Sequence, residues 1–317
     1  MSASYLHLRE RMETRDRGLR EKVMNLSEAV RLVRDGDHVA LGGNTFSRTP
    51  NALVWEMIRQ GKKNLVISRN ITSTEGDLLV TAGCCGHYIT SWFSQGYIWG
   101  VSRIMRHFVE SGKVKFEEWS HMSIGMRYRA GALGLPFMPS RVMLGSDMAR
   151  QVDNLKEMTC PFTGDRLALL PALNPDVALI HVHRADPYGN AQFDGLPFMD
   201  ADIALAADKV ILSAEQVISN DQIRRAPDRT KIPFFCVEAV VEVPYGSVPH
   251  ECWGLYEPFY DHMDRYVKTT REKGVEATHE YLKQYVYDPE NWNEFLSRVG
   301  FSKLMEATMA GRRMYSD

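Results

Sequence analysis

Two short stretches of the sequence, and several histidines outside them, carry residues that could act on a carbonyl or carboxyl group. The first is Gly42-Gly43-Asn44, which ends a short apolar run and is followed by Arg48. Two glycines at the tip of a strand allow close approach of an anion or of another backbone, and Arg48 could hold a carboxylate or a phosphate. The alternative is a tight turn that needs small residues. The loop has neither a GxGxxG nor a GxxxxGKS pattern, so neither a dinucleotide nor a nucleoside triphosphate is indicated.

The second stretch is SRNITSTEG, residues 68–76, which contains Arg69, Asn70 and Glu75. Asn70 could donate a hydrogen bond to a thioester or carboxylate oxygen, although Asn is also a common turn residue that bonds its own backbone. Arg69 could bind an anionic group. Glu75 is a possible nucleophile, although a single Glu in a loop is usually solvated. The stretch therefore offers donors and a carboxylate, each with a structural alternative.

The remaining candidates are histidines. His121 directly precedes a segment rich in small residues, and a histidine ordinarily titrates near neutral pH, so it can donate a hydrogen bond or accept a proton. His181 and His183 lie two apart on a predicted strand, face one side and could share a metal with Asp186. Further ligands are not evident nearby. We therefore predict no metal site and interpret DPYGN, residues 186–190, as a turn between strands.

Alternating strands and helices are predicted to position these residues. Helices are predicted at 26–33, with a cap at residue 25 or 27, and from Thr49-Pro50 to Gly61, with Thr49 as the N-cap. Residues 69–76 are predicted to form a polar loop. Strands are predicted at 38–41, 65–68, 88–93, 137–144, 177–182, 201–207, 210–213 and 237–243. This pattern predicts an open, mostly parallel sheet with helices on both faces, followed by a C-terminal helical cap from about residue 256.

Length and composition limit the classes of function. The chain has 317 residues, 44% of them hydrophobic, and a formal net charge of -2, which is typical of a globular protein and not of a general nucleic-acid binder. No apolar run is long enough to span a membrane and the N-terminus does not resemble a signal peptide, so we expect a cytoplasmic protein. The five Cys, an odd number, favour reduced thiols over a disulfide framework. No linker or repeat interrupts the chain, so we expect a charged extension at residues 1–22 and a single domain at 23–317.

Several segments taken together resemble the A (alpha) subunit of family I CoA-transferases of the glutaconate CoA-transferase type. They are GDHVALGGNTFSRTPNALVWEMIRQG, VSRIMRHFVESGKV, RAGALGLPFMP, PDVALIHVHRADPYGN, ADIALAADKVILSAEQVIS and IPFFCVEAVVEVPYGSVP with CWGLY. They follow the family order from about residue 26 to residue 256. The resemblance implies an open α/β fold of the kind shared with ribose-phosphate isomerase relatives.

The resemblance also implies a partner and a substrate. In such transferases the Gly-rich loop of the A subunit faces a homologous B subunit, in a heterodimer or heterotetramer, and the shared cleft holds an acyl-CoA. The B subunit contributes a Glu that attacks the thioester, forms an acyl-glutamyl anhydride and then a glutamyl-CoA thioester, and passes CoA to a second carboxylic acid. This chain would supply oxyanion donors and pocket walls, with coenzyme A as a substrate and no resident cofactor.

His121 departs from the family pattern. Many transferases have a Gln at this position that donates to the reacting carboxyl group, and some steroid ring-opening hydrolases of the superfamily have a catalytic Glu. His121 could donate like the Gln or act as a general base like the Glu. Three functions therefore remain open: one subunit of a CoA-transferase, one subunit of a hydrolase that cleaves a C–C bond in a CoA thioester, and a non-catalytic ligand-binding protein.

Overall fold

An open, twisted sheet with seven parallel strands forms the centre of the protein. The computed structural model describes residues 10, 13, 14, 16 and 18–313, so most of the expected N-terminal extension lies outside the described residues. The main sheet contains β1 (His38–Leu41), β2 (Leu65–Thr72), β3 (Cys85–Phe93), β4 (Lys115–Glu118), β8 (Val177–Ala185), β9 (Ala191–Gln192), β10 (Lys209–Val217), β11 (Thr230–Ile232) and β12 (Val237–Glu242). The parallel strands run in the order β12-β10-β8-β1-β2-β3-β4, and the short strands β9 and β11 add antiparallel pairs beside the end of β8.

Helices cover both faces of this sheet, as the alternating pattern predicted. They are α1 (Leu26–Arg31), α2 (Asn51–Arg59), α3 (Thr74–Thr81), α4 (Gly96–Trp99), α5 (Arg103–Glu110), α6 (His121–Ala132), α7 (Asp147–Gln151), α8 (Asp200–Ala206) and α9 (Asn220–Arg224). The C-terminal part is helical, with α10 (Tyr260–Lys273), α11 (Val275–Leu282), a π-helical turn (Lys283–Tyr287), α12 (Trp292–Val299) and α13 (Phe301–Arg313). The predicted fold class and helical C-terminal part are confirmed. Within the described residues, no helix combines the length and the apolar character needed to cross a membrane.

Strand alternation divides the core into two layers. Leu41 and Leu179 point into the layer formed with α2 and the C-terminal helices, whereas Ala40 and Ile180 point into the layer formed with α6 and α8. Because side chains on a strand alternate between faces, neighbouring residues of β1 and β8 serve different layers. This alternation matters at the carboxyl ends of the strands, where the candidate site lies.

Four predictions of local structure were wrong. Residues 201–206 of the predicted strand 201–207 lie in α8 and not in a strand, since this alanine-rich segment has good helix formers. The predicted strand 137–144 is β5 (Phe137–Ser140), which joins β6 (Lys156–Thr159) and β7 (Arg166–Pro171) in a separate antiparallel sheet. The predicted loop 69–76 contains the end of β2 and the start of α3. Thr49 does not cap α2, because its hydroxyl group bonds Arg69 and His250 instead.

Candidate functional site

The glycine loop, residues 42–48, is held in its conformation by close contacts within the chain itself. Gly42 continues β1 and donates its N–H to Leu179 at 2.9 Å. Gly43 has φ of +69°, and a Cβ there would lie 2.2 Å from the carbonyl oxygen of Ser47. Asn44 and Ser47 exchange backbone hydrogen bonds of 3.0 and 2.8 Å that close the turn. Glycine is therefore required at position 43 by the turn, which is the structural alternative considered from the sequence.

A buried ion pair holds this loop from one side. The Arg48 side chain is 1% exposed and the Asp200 side chain is fully buried; they form a short ion pair, and the other carboxylate oxygen of Asp200 accepts the Gly43 N–H at 2.7 Å. The Arg48 guanidinium group also donates to the Leu196 carbonyl at 2.8 Å and lies over the Phe193 ring at 4.1 Å. Arg48 is thus engaged within the protein, and its predicted contact with a ligand would require this pair to open.

A second buried ion pair, between Arg69 and Glu75, holds the loop from the other side. Arg69 donates to Glu75 and, at 2.8 Å, to the hydroxyl group of Thr49. The same hydroxyl group lies 2.7 Å from Nδ1 of His250. Glu75 also accepts the Ser73 N–H at 2.9 Å. The group therefore links the glycine loop to the end of β2 and the start of α3.

Burial and the neighbouring charges determine the ionisation of this group. Desolvation acts to raise the pKa of Glu75, but the charge of Arg69 together with the hydrogen bonds from the Ser73 N–H and the Thr72 hydroxyl group brings that pKa below its ordinary value. Burial lowers the pKa of His250 to about 3. Glu75 is therefore ionised at neutral pH and His250 is neutral. Glu75 is 1% exposed and engaged with Arg69, so it could not attack a substrate without breaking a buried ion pair.

Asn70 and His121 meet on the opposite face of β2. Asn70 Nδ2 lies 3.3 Å from His121 Nε2. His121 is the exposed first residue of α6, whose N-cap Ser120 accepts the Ser123 N–H. Two helical turns further along, the hydroxyl group of Tyr128 donates to Ser68 at 2.7 Å, so α6 packs along this face of β2. The predicted pair is therefore brought together at the carboxyl edge of the sheet.

The glycine loop and Asn70 belong to the same edge of the sheet. In the register of β1 and β2, Ala40 is opposite Ser68, and Gly42 and Asn70 each come two residues later. The carboxyl ends of parallel strands are where ligands bind in open α/β sheets. The arrangement offers hydrogen-bond donors at an open edge, with two ion pairs behind it that stabilise the loop.

Exposed apolar side chains lie on the elements around this edge. They come from the end of β3, from α4 and from the first turn of α6, and they are Trp92, Tyr97, Ile98 and Met122. Single exposed apolar side chains are normal on a protein surface, whereas a contiguous patch of them is typical of a surface that contacts another protein.

The two histidines of β8, His181 and His183, are buried and make contacts within the interior of the protein. His181 contacts Glu215 through Nε2 at 2.8 Å, and His183 contacts the Trp253 carbonyl through Nε2 at 2.7 Å. Ligand atoms of His181, Glu215 and Cys252 lie within 4.8 Å of one another. However, Glu215 also accepts the Tyr256 hydroxyl, at 2.6 Å, and two backbone N–H groups, so this carboxylate is already satisfied by the protein.

Asp186 does not join these histidines. Its carboxylate accepts the backbone N–H groups of Tyr188 and Asn190 and the side-chain amides of Asn190 and Asn220, at 2.7 to 3.0 Å. The turn predicted at 186–190 is therefore present between β8 and β9, and the considered metal set with Asp186 is not formed.

Asp200, which forms the ion pair with Arg48 and accepts the Gly43 N–H, was not identified from the sequence. Because residues 201–207 were predicted to form a strand, Asp200 was not recognised as the first residue of a helix. A signal was available: Asp200 and Asp202 precede an alanine-rich run, and acidic residues are typical of a first helical turn.

Comparison with known proteins supplies the family context. Residues 23–243 match the family model described as coenzyme A transferase. The A subunit of glutaconate CoA-transferase from Acidaminococcus fermentans is 36% identical over 90% of this chain and 93% of that protein. The crystal structure of glutaconate coenzyme A-transferase from the same organism superposes with a TM-score of 0.87 and 35% identity, over 90% of this chain and 95% of the other.

Two further relatives extend the comparison. An uncharacterised protein of Archaeoglobus fulgidus is 39% identical over 93% of this chain, which spans 66% of that protein's length. The cholesterol ring-cleaving hydrolase IpdA subunit of Rhodococcus jostii is 28% identical over 79% of this chain and 88% of that protein.

Proposed function

Because the chain belongs to the coenzyme A transferase family I, we propose that it is the A subunit of an acyl-CoA:carboxylate CoA-transferase. One structural observation carries the proposal. Asn70 and His121 come together at the open edge of the sheet, whereas Glu75, the carboxylate of the same stretch, is buried in an ion pair with Arg69. The chain thus offers hydrogen-bond donors for a carbonyl oxygen but no free carboxylate from this stretch.

The attacking carboxylate then comes from a homologous B subunit. The relative from Acidaminococcus fermentans is itself named as one subunit of its transferase, which supports a two-subunit enzyme. The exposed side chains of Trp92, Tyr97, Ile98 and Met122 support the same arrangement, because a partner that covers this edge would bury them. We propose that the complex is a heterodimer or a heterotetramer and that the isolated chain is inactive.

In the proposed reaction, a Glu carboxylate of the partner attacks the thioester carbonyl of the acyl-CoA. Asn70 and His121 donate hydrogen bonds to the oxygen that becomes negatively charged in the tetrahedral intermediate. Collapse of the intermediate expels the CoA thiolate and leaves an acyl-glutamyl anhydride. The thiolate then attacks the glutamyl carbonyl and releases the first acid, and a second carboxylate accepts CoA through the reverse steps.

Co-expression with the homologous B subunit of the same genome tests the proposal. Consumption of acyl-CoA is followed with and without acetate or succinate as acceptor. Turnover that depends on the acceptor and requires both subunits is the expected result. A chain that turns over acyl-CoA alone would contradict the proposal. A self-contained homo-oligomer that recruits no B subunit would instead support the non-catalytic ligand-binding alternative.

A CoA-thioester hydrolase that opens a ring is the second candidate. It is favoured by the similarity to the ring-cleaving hydrolase of Rhodococcus jostii and by the position of His121, exposed at the start of α6 where it could act as a general base. The substitution His121→Gln separates the two roles, because glutamine can donate a hydrogen bond but cannot take up a proton. Retained activity would indicate a donor and support the transferase, and abolished activity would indicate a base.

A further inference from the structure

Ser91 lies beside Asn70 on the neighbouring strand. In the register of β2 and β3, Arg69 is opposite Thr90 and Ile71 is opposite Trp92, so the side chains of Asn70 and Ser91 project from the same face. Ser91 Oγ is 2.5 Å from the Asn70 carbonyl oxygen and 3.1 Å from Asn70 Oδ1. The single hydroxyl proton is thus shared between two oxygen atoms of Asn70, and both residues are buried.

These contacts indicate the orientation of the Asn70 side-chain amide. A carbonyl oxygen has two lone pairs, and that of Asn70 accepts from Ser91 and, at 3.0 Å, from the hydroxyl group of Thr90. The side-chain oxygen Oδ1 faces Ser91, so the amide nitrogen Nδ2 faces His121. The Ser91 hydroxyl group thus lies at the oxygen end of the Asn70 amide, and the nitrogen end is presented to the histidine.

The orientation of the Asn70 side-chain amide in turn determines the tautomer of the neutral His121 imidazole. An amide NH2 group can only donate, and its nitrogen lies 3.3 Å from His121 Nε2. Nε2 must then be the nitrogen that accepts, which places the proton of the neutral imidazole on Nδ1. In this tautomer the ring lone pair is directed at Asn70, and the Nδ1–H group remains as the donor.

We propose that Ser91 is a positioning residue that, through Asn70, holds neutral His121 in the tautomer with its proton on Nδ1, so that His121 acts as a hydrogen-bond donor and not as a base. The inference rests on the proposed function, in which Asn70 and His121 contact the reacting oxygen. It assigns to Ser91 a role that neither the sequence motifs nor the comparisons indicate. It also favours transfer over hydrolysis, because the lone pair that a base would use is occupied.

Nitrogen-15 NMR of the histidine side chains in the isolated chain tests the tautomer without any turnover. The spectra are recorded at pH 8.5, above the ordinary range of histidine pKa values, and the His121 resonances are assigned by their loss in His121→Gln. We expect Nδ1 to be protonated and Nε2 to carry the lone pair. Ser91→Ala should shift His121 toward a mixture of tautomers. Ser91→Thr, which keeps the hydroxyl group, and Ser297→Ala, at an exposed helix position, should not.

Protonation of Nε2 in the neutral wild-type ring would overturn the proposal, because the amide would then be turned the other way. An unchanged tautomer in Ser91→Ala would overturn it as well. The NMR measurement does not depend on transferase activity. A wrong tautomer of His121 can therefore be distinguished from a failure of the proposed transferase function. In the complex with its partner, Ser91→Ala should lower kcat about 5-fold, as expected for one hydrogen bond, with a smaller effect in the His121→Gln background.

Discussion

Replacing Gly43 by Ala should lower the free energy of unfolding by about 2.5–5 kcal/mol. An L-residue at φ of +69° costs about 1–2 kcal/mol relative to glycine. The new Cβ would also lie 2.2 Å from the Ser47 oxygen and 2.6 Å from the Arg48 oxygen, and both are backbone atoms. The turn must therefore move by about 1 Å to reach van der Waals contact, which breaks the bond from the Gly43 N–H to the Asp200 carboxylate, a loss of about 1.5–3 kcal/mol.

Gly83→Ala is the matched control. Gly83 has φ of +72°, and nothing lies within 4 Å of a Cβ built there. It carries the same conformational cost as Gly43 without the clash, so its loss should stay near 1–2 kcal/mol. Urea-induced unfolding of the two variants and the wild type, followed by circular dichroism, gives the comparison. Equal losses for the two variants would refute the argument that the turn at Gly43 is closed by its own backbone.

Three further predictions concern the buried charges. Asp200→Asn leaves the buried Arg48 guanidinium group without its counter-charge and should lower the free energy of unfolding in urea by about 3–5 kcal/mol. The control Asp202→Asn breaks a surface pair with Arg129 and should lower it by less than about 1 kcal/mol. Similar losses for the two variants would contradict the role of burial. Burial raises the pKa of Asp77 to about 7 from its ordinary value of 3.8, so the folded state binds more protons than the unfolded state between these values and Asp77 lowers stability as pH rises toward 7. The urea midpoint of Asp77→Asn relative to wild type should therefore be higher at pH 8 than at pH 5, and a constant difference would disprove the shift. Burial lowers the pKa of His250 to about 3 from 6.5, so stability is lost as pH falls from about 6.5 toward 3; the melting temperature of His250→Gln should fall less steeply over this range, and parallel pH profiles would count against a buried neutral His250.

The fold could be predicted from the sequence because its signals are local and repeated. The strand 38–41, the capping box formed by Asn25 and Glu28, and the apolar runs of β8 and β10 each indicate their element without reference to the rest of the chain. The prediction of a strand at 201–207 was wrong because the signal there is not local. Its short apolar run fits a buried strand or a buried helix, and only packing against the sheet decides between them.

The candidate site could be predicted only in part. Asn70 and His121 could be proposed together because each is a polar residue beside a predicted element, and the parallel sheet brings such ends together. The partners of Arg48 and Arg69 could not be found in the same way. Asp200 is 152 residues from Arg48 along the chain, and the pairing of an arginine with a distant carboxylate leaves no periodic signal in the sequence.

The end of β2 places neighbouring residues of one short stretch in two different environments. Arg69 and Asn70 are adjacent and so point to opposite faces of the sheet. On one face Arg69 meets Glu75 and Thr49 in the buried interior, where charges persist only when they are paired. On the other face Asn70 meets His121, at the exposed start of α6. A shift of one residue in the register of β2 would exchange the two faces, so that the Asn70 amide would face Glu75 and the Arg69 guanidinium group would face His121. The register of β2 against β1 and β3 is therefore what separates the Arg69–Glu75 pair, which stabilises the loop, from the Asn70–His121 pair, which is proposed to bind the substrate.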